Sequence, residues 1–158
     1  KKVSCTLTVL SADLESETLV ISRNSNCPVI VKTEEYETVY DDNVEPIGVH
    51  RHMKPLMYEL PFEPGMIVVS YTDGIQAAGR KRGGPQADFE KIMAIIRDNT
   101  AEDVEFIAKS IIEYALEMDK NQAGDDMTVV VVGLAPSVED GPKVERISVA
   151  YPFQGGAV

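Results

Sequence analysis

Met66-Ile67-Val68-Val69-Ser70-Tyr71-Thr72-Asp73-Gly74 sets the architecture expected of this chain. Its apolar run, Met66 to Val69, carries the backbone through an interior and stops at Thr72-Asp73-Gly74, the pattern of a buried strand ending in a turn. One carboxylate therefore stands at a strand's end. Further on, Gly124-Asp125-Asp126 opens into Met127-Thr128-Val129-Val130-Val131-Val132, a second β-branched strand with acids at its start. If the two strands are antiparallel neighbours, Asp73 and Asp125 share one edge of the sheet. Carboxylates held close together repel unless one is protonated or a cation bridges them, and oxygen-only donors suit a hard ion such as Mg²⁺ or Mn²⁺. The sequence thus predicts a divalent-metal site.

Working outward, the 158 residues, 44% of them hydrophobic, fit one globular domain that buries a core without disulfides. Cys5 and Cys27 lie on separate predicted strands and form no C-x-x-C pair, so both are expected to be small core residues of a reduced, cytoplasmic protein rather than catalytic thiols. No apolar run approaches the roughly 18 residues of a membrane span, and no signal peptide is evident. The net charge of −11 argues against sequence-independent binding to nucleic acid or anionic lipid. A phosphorylated substrate stays open, because bound divalent ions would reverse the local field.

Val3 to Leu10 alternates Val3, Cys5, Leu7 and Val9 on one face with Ser4, Thr6 and Thr8 on the other, and Thr18 to Arg23 returns across the polar turn Asp13 to Glu17, so a hairpin is expected. The chain begins inside this first strand without a Met, as a portion of something longer would. Pro28 to Lys32, Tyr36 to Tyr40 and Leu56 to Leu60 are further strands, with Pro46 to Val49 an irregular packed segment. His50-Arg51-His52 lacks a third ligand and reads as an exposed loop. After Gly74, Ile75 to Ala78 form a single helical turn ended by Gly79. Arg80-Lys81-Arg82-Gly83-Gly84-Pro85 is the one basic cluster, either a solvated loop or a flap beside the metal edge that recruits a phosphorylated partner. It lacks the spacing of a Walker phosphate loop. Two helices follow: Ala87 to Arg97, with Phe89, Ile92, Met93 and Ile96 on one face, and a longer one capped by Thr100, with Asp103 in the capping-box position. The acidic run Asp98 to Asp103 lacks the glycine and glutamate of a calcium loop. Pro136 to Pro142 reads as a linker, Lys143 to Tyr151 as a last strand, and the end as frayed, giving a domain over 1–151 and a tail over 152–158. Strands, a helix pair, then strands again make the fold α+β.

P-I-G-V, E-P-G-M-I-V-V-S-Y-T-D-G-I and G-D-D-M-T-V-V-V-V, separated by two helices, resemble the metal-dependent protein serine/threonine phosphatases (PPM). The closest branch is the bacterial one typified by the sporulation stage II protein E phosphatase, and the resemblance runs from about Val3 to Leu134. It implies an antiparallel β-sandwich flanked by helices in α-β-β-α layers, holding two Mn²⁺ or Mg²⁺ ions that activate a water for attack on phosphoserine or phosphothreonine. It further implies Asp73 and Asp125 as metal ligands, with Asp126 and Gly74 behind them, and no protein nucleophile. The implied partner is a phosphorylated regulator of the anti-sigma-factor-antagonist or stress-scaffold type. The family carries another metal-binding aspartate upstream; here Asp41-Asp42 and Asp140-Gly141 are the other candidate dipeptides, and neither borders a convincing buried strand. The chain is therefore expected to be the C-terminal portion of such a domain, incomplete at its N-terminus, with open edges that allow domain swapping or a homodimer. Two other readings compete: a catalytically silent binding module, and a receiver-like phosphoacceptor, which the strand-rich first half disfavours.

Overall fold

The computed structural model describes residues 3–135. Among the described residues seven strands form two antiparallel sheets. β1 (Leu7–Asp13), β2 (Thr18–Asn24) and β5 (Leu56–Pro61) form one, in the order β1-β2-β5; β3 (Val29–Lys32), β4 (Glu37–Tyr40), β6 (Ile67–Tyr71) and β7 (Val129–Gly133) form the other, in the order β4-β3-β6-β7. The helical segments α1 (Asp73–Gln76), α2 (Phe89–Arg97) and α3 (Val104–Met118), with a 3₁₀ turn over Arg80–Arg82, fall between β6 and β7.

β6 is buried at all five positions because both of its faces are covered. Ile67, Val69 and Tyr71 point into a core shared with Ile92 and Ile96 of α2 and Ile107 and Ile111 of α3. Met66 and Val68 point the other way, into the core between the sheets, where Leu19, Ile21, Val29 and Val31 meet them. This is the period-two alternation of a strand, with apolar residues needed on both sides. β3 splits in the same way, Ile30 toward the helices and Val29 and Val31 toward the other sheet. Each such side chain contributes about 1.5–3 kcal/mol of transfer free energy, so the β3–β6 pair anchors both cores. The described residues thus build three layers: sheet, sheet, helices.

The first hairpin forms as expected, with Leu10 opposite Ile21, but its faces are set differently. β1 starts at Leu7, while Cys5 makes only an isolated bridge to Ile47 and is exposed rather than core. Leu7 and Val9 face outward at 47% and 45% exposure, and Met57 of β5 lies exposed on the same face. Leu10, one step along, packs into the inter-sheet core. The alternation is real, and Leu19, Ile21, Tyr58 and Leu60 decide which side is inside.

Two cationic side chains tie the layers together. Lys32, at the end of β3, donates its ammonium to the carbonyls of Ile96, Arg97 and Asn99 at 3.2, 2.9 and 2.6 Å, satisfying the orphan end of α2 and its partial negative charge. Arg23 is fully buried and donates Nη2 to the carbonyls of Ser25 and Cys27, at 2.9 and 3.2 Å, bracing the β2–β3 turn, while its Nε has no partner.

The helices differ from expectation at their ends. α2 is capped by Asp88, whose carboxylate accepts the Glu90 N–H at 3.0 Å, and Phe89 is partly exposed where the apolar stripe placed it inside. α3 begins at Val104, so the cap position is Asp103 and not Thr100. The Asp103 carboxylate still reaches back to the Thr100 N–H at 2.9 Å and hydroxyl at 2.6 Å, the returning half of a capping box, and these bonds lower its pKa, the hydroxyl first. The linker, the last strand and the tail expected from Pro136 onward lie outside the described residues.

Candidate metal centre

β6 and β7 are antiparallel neighbours, with Tyr71 opposite Val129, so the two acidic motifs meet at one end of the sheet. The pairing continues past the strands through Thr72. Its N–H donates to the Thr128 carbonyl at 3.0 Å, its hydroxyl accepts the Thr128 N–H at 2.9 Å, and the same hydroxyl donates to the Asp126 carbonyl at 3.1 Å. Thr72 is also the cap residue of α1, yet its side chain makes no cap bond. That hydroxyl is committed to the opposite strand.

Asp73 opens α1 on the exposed side of this clasp, two residues earlier than the helical turn expected from Ile75. Gly74 behind it is buried, and a Cβ there would collide with the Asp126 carbonyl oxygen. Only a residue without a side chain lets the two motifs approach this closely. Asp125 and Asp126 lie in the turn before β7 rather than at the strand's start, and both are exposed. Asp126 serves the site through its carbonyl, as the partner of Thr72.

The Asp125 carboxylate is turned to the basic segment. Lys81 Nζ donates to Asp125 Oδ2 at 2.7 Å and to the Gly124 carbonyl at 2.8 Å, and Arg82 Nη2 donates to the Gln122 carbonyl at 2.8 Å. Lys81, followed by the Asp126 N–H, holds the Asp125 pKa below its ordinary value. Arg80, Lys81 and Arg82 form an exposed 3₁₀ turn between Gly79 and Gly83, both at positive φ, and two of its three side chains, those of Lys81 and Arg82, are bonded to the acid turn.

Asp119, which no sequence motif marks, joins the two segments. Buried at the end of α3, it accepts the Gly79 N–H on Oδ1 and the Gly124 N–H on Oδ2, both at 2.7 Å. These bonds, Gly79's first, hold its pKa below the ordinary carboxylate value. Its sole signal in the sequence is an acid just after a long helix, where the macrodipole disfavours negative charge; a carboxylate there needs other partners.

Beside Asp73 lies a cavity of about 200 Å³ whose wall is rich in hydroxyls, Thr6, Thr8, Ser25, Ser70, Thr72 and Thr128 among them. Cys27 borders it and is buried, which raises its thiol pKa, as suits an inert core residue rather than a nucleophile. His50 pairs with Glu45 at 3.3 Å on the surface, in keeping with an exposed loop.

Among the described residues no group of three or more His, Cys, Asp or Glu side chains is gathered as a metal cage. The donors present nonetheless fit a hard cation of the Mg²⁺ type, which keeps several waters and takes one or two carboxylates. The Lys81 ammonium, held by a carboxylate and a carbonyl oxygen, shows that the Asp125 corner accepts a positive charge. Asp73 and Asp125 are the residues that would hold such an ion.

No helix of the described residues is long and apolar enough to cross a membrane. No curated protein matches the chain. In fold it is similar to the phosphatase domain of the cell fate determinant SpoIIE from Bacillus subtilis, in a crystal form without domain swapping, at a TM-score of 0.67 and 21% identity over 92% of this chain and 61% of that one. It is also similar to the catalytic domain of the serine/threonine protein phosphatase PstP in complex with two manganese ions, at 0.62 and 16% over 83% of this chain and 59% of that one. RsbX in complex with magnesium is a third, at 0.61 and 17% over 82% and 56%. The chain spans about three-fifths of the length of these structures. The model of the family described as Stage II sporulation protein E (SpoIIE) matches residues 1–135, and with most of its length so matched the chain belongs to that family.

Proposed function

We propose that the protein is a metal-dependent phosphoprotein phosphatase, or the C-terminal part of its catalytic domain, acting on phosphoserine or phosphothreonine of a bacterial signalling regulator. The observation that carries this is the Thr72 clasp, which brings the Asp73 turn and the Asp125 turn to one end of the β6–β7 pair. Asp73 and Asp125 hold the cations, two Mn²⁺ or Mg²⁺, with Gly74 and Asp126 fixing the spacing of the two turns. Such ions, when bound, polarise the phosphoryl oxygens and supply a water acidic enough to attack at neutral pH. The chain's own part is to orient and to attract. Asp119 and Thr72 hold the acid turns in place, and Arg80, Lys81 and Arg82 present positive charge to a phosphorylated partner in a chain of net charge −11.

Family membership supports an anti-sigma-factor antagonist or a stress-signalling scaffold as the phosphorylated partner, met in the cytoplasm. Among the described residues the outer edge of β1 is unpaired, which leaves room for a homodimer. A second reading, a silent phosphatase-like binding module, is favoured by the lack, among the described residues, of any group of three or more His, Cys, Asp or Glu side chains that could hold a metal ion.

The deciding experiment is Mn²⁺-dependent hydrolysis of an aryl phosphate by the 158-residue chain, with Asp73→Asn as control. Turnover that is lost in the variant supports the phosphatase; silence of both chains, each folded, supports the binding module.

A further inference from the structure

We propose that Lys81 is a tethered counter-ion of Asp125, exchanged for the divalent cation when one binds. This rests on the metal-site reading above. Lys81 Nζ is bonded to Asp125 Oδ2 at 2.7 Å and to the Gly124 carbonyl at 2.8 Å, two oxygens of the kind a hard cation takes. A lysine and a metal ion cannot both occupy that corner.

The pair is built to yield. Both side chains are more than half exposed, 57% for Lys81 and 51% for Asp125, so water screens their attraction. A doubly charged ion competes for the same carboxylate with twice the charge. The surrounding backbone is held independently: Asp119 fixes Gly79 and Gly124 together, and Arg82 is bonded to the Gln122 carbonyl. Exchange therefore needs only the flexible Lys81 stem to swing. Once displaced, its ammonium stands beside a cation that repels it and is free for an incoming phosphoryl oxygen. Cation binding and recruitment of an anionic partner are thereby coupled through one side chain.

The test measures free Mn²⁺ by electron paramagnetic resonance in titrations of the 158-residue chain, Lys81→Met and Asp125→Asn, each shown to be folded by circular dichroism. Loss of an exposed competitor should tighten Mn²⁺ binding of Lys81→Met by about two- to fivefold, and rising KCl should shrink that advantage as the pair is screened in the wild-type chain. Binding by Asp125→Asn should fall well below both. If the wild-type chain binds Mn²⁺ and Lys81→Met binds it equally or more weakly, the exchange is overturned while the metal site stands. Absence of Mn²⁺ binding to the wild-type and Lys81→Met chains alike would remove the metal site and the exchange together.

Discussion

The carboxylate of Asp119 receives the Gly124 N–H at 2.7 Å and, on its other oxygen, the N–H of Gly79, forty residues before it. One buried side chain thus sets the distance between the basic turn and the acid turn. Asp119→Ala leaves both donors without their acceptor, and an unsatisfied buried donor costs about 1–3 kcal/mol. Urea unfolding should show Asp119→Ala less stable than wild type by about 2–4 kcal/mol; a difference within error would mean that water replaces the carboxylate.

The same bonds give stability a pH dependence whose sign is fixed. Asp119 titrates lower in the folded chain than its ordinary value of 3.8, so the unfolded chain binds its proton first as pH falls. Its contribution is complete above about pH 5 and is lost as pH drops through the ordinary value and then the lower folded one. Unfolding curves of wild type and Asp119→Asn should lie apart at pH 6 and approach each other toward pH 3. A constant gap would place the stabilisation elsewhere.

Thr72→Val keeps the shape of the side chain and removes the hydroxyl that bonds to Asp126 and Thr128. Two net hydrogen bonds correspond to about 1–2 kcal/mol of stability. Mn²⁺ affinity should fall alongside, since Asp126 is released on one side of Asp125. Calorimetric melting and a Mn²⁺ titration of the same sample check both halves.

Gly74→Ala places a methyl group against the Asp126 carbonyl, with the Met127 side chain 3.4 Å away. The obstruction is backbone and cannot rotate aside, so the acid turn must shift. Overpacking of this kind costs about 1–3 kcal/mol, and Gly74→Ala should lose Mn²⁺ binding more completely than its change in melting temperature would suggest.

Lys32→Met keeps the aliphatic stem and removes the charge that three carbonyls at the end of α2 share. The expected loss is about 1–2 kcal/mol from the helix terminus and its dipole. Hydrogen exchange localises it: amides of the last turn of α2 should exchange faster, and those of β6 should not.

What could be read in the sequence follows from range. β6 and β7 announce themselves through unbroken apolar runs, and their antiparallel pairing suffices to bring Asp73 and Asp125 to one end. The two cores follow equally directly, because β3 and β6 carry apolar residues on both faces. Asp119 was beyond that reading, since an acid after a helix looks solvated until Gly79 and Gly124 are seen on either side of it. The Lys81–Asp125 bond is hidden in the same way, being a contact between two turns with no periodicity. Leu7 and Val9 mislead for the opposite reason: alternation identifies a face, and only the partner strands determine whether that face is covered. Thr100 signals the start of α3 one turn early, because a 3₁₀-like turn intervenes before Val104.

Ile67 to Ser70 of β6 are paired on both sides, to β3 and to β7, and the strand lies between two cores. Their amides are expected to be among the better protected from solvent, and the exposed Arg80–Arg82 turn less so. Asp73 thereby follows directly on a strand buried at every position, and Asp125 faces an exposed lysine side chain. A pair composed in this way keeps one carboxylate as a fixed reference while the other side adjusts in the time of a surface side chain.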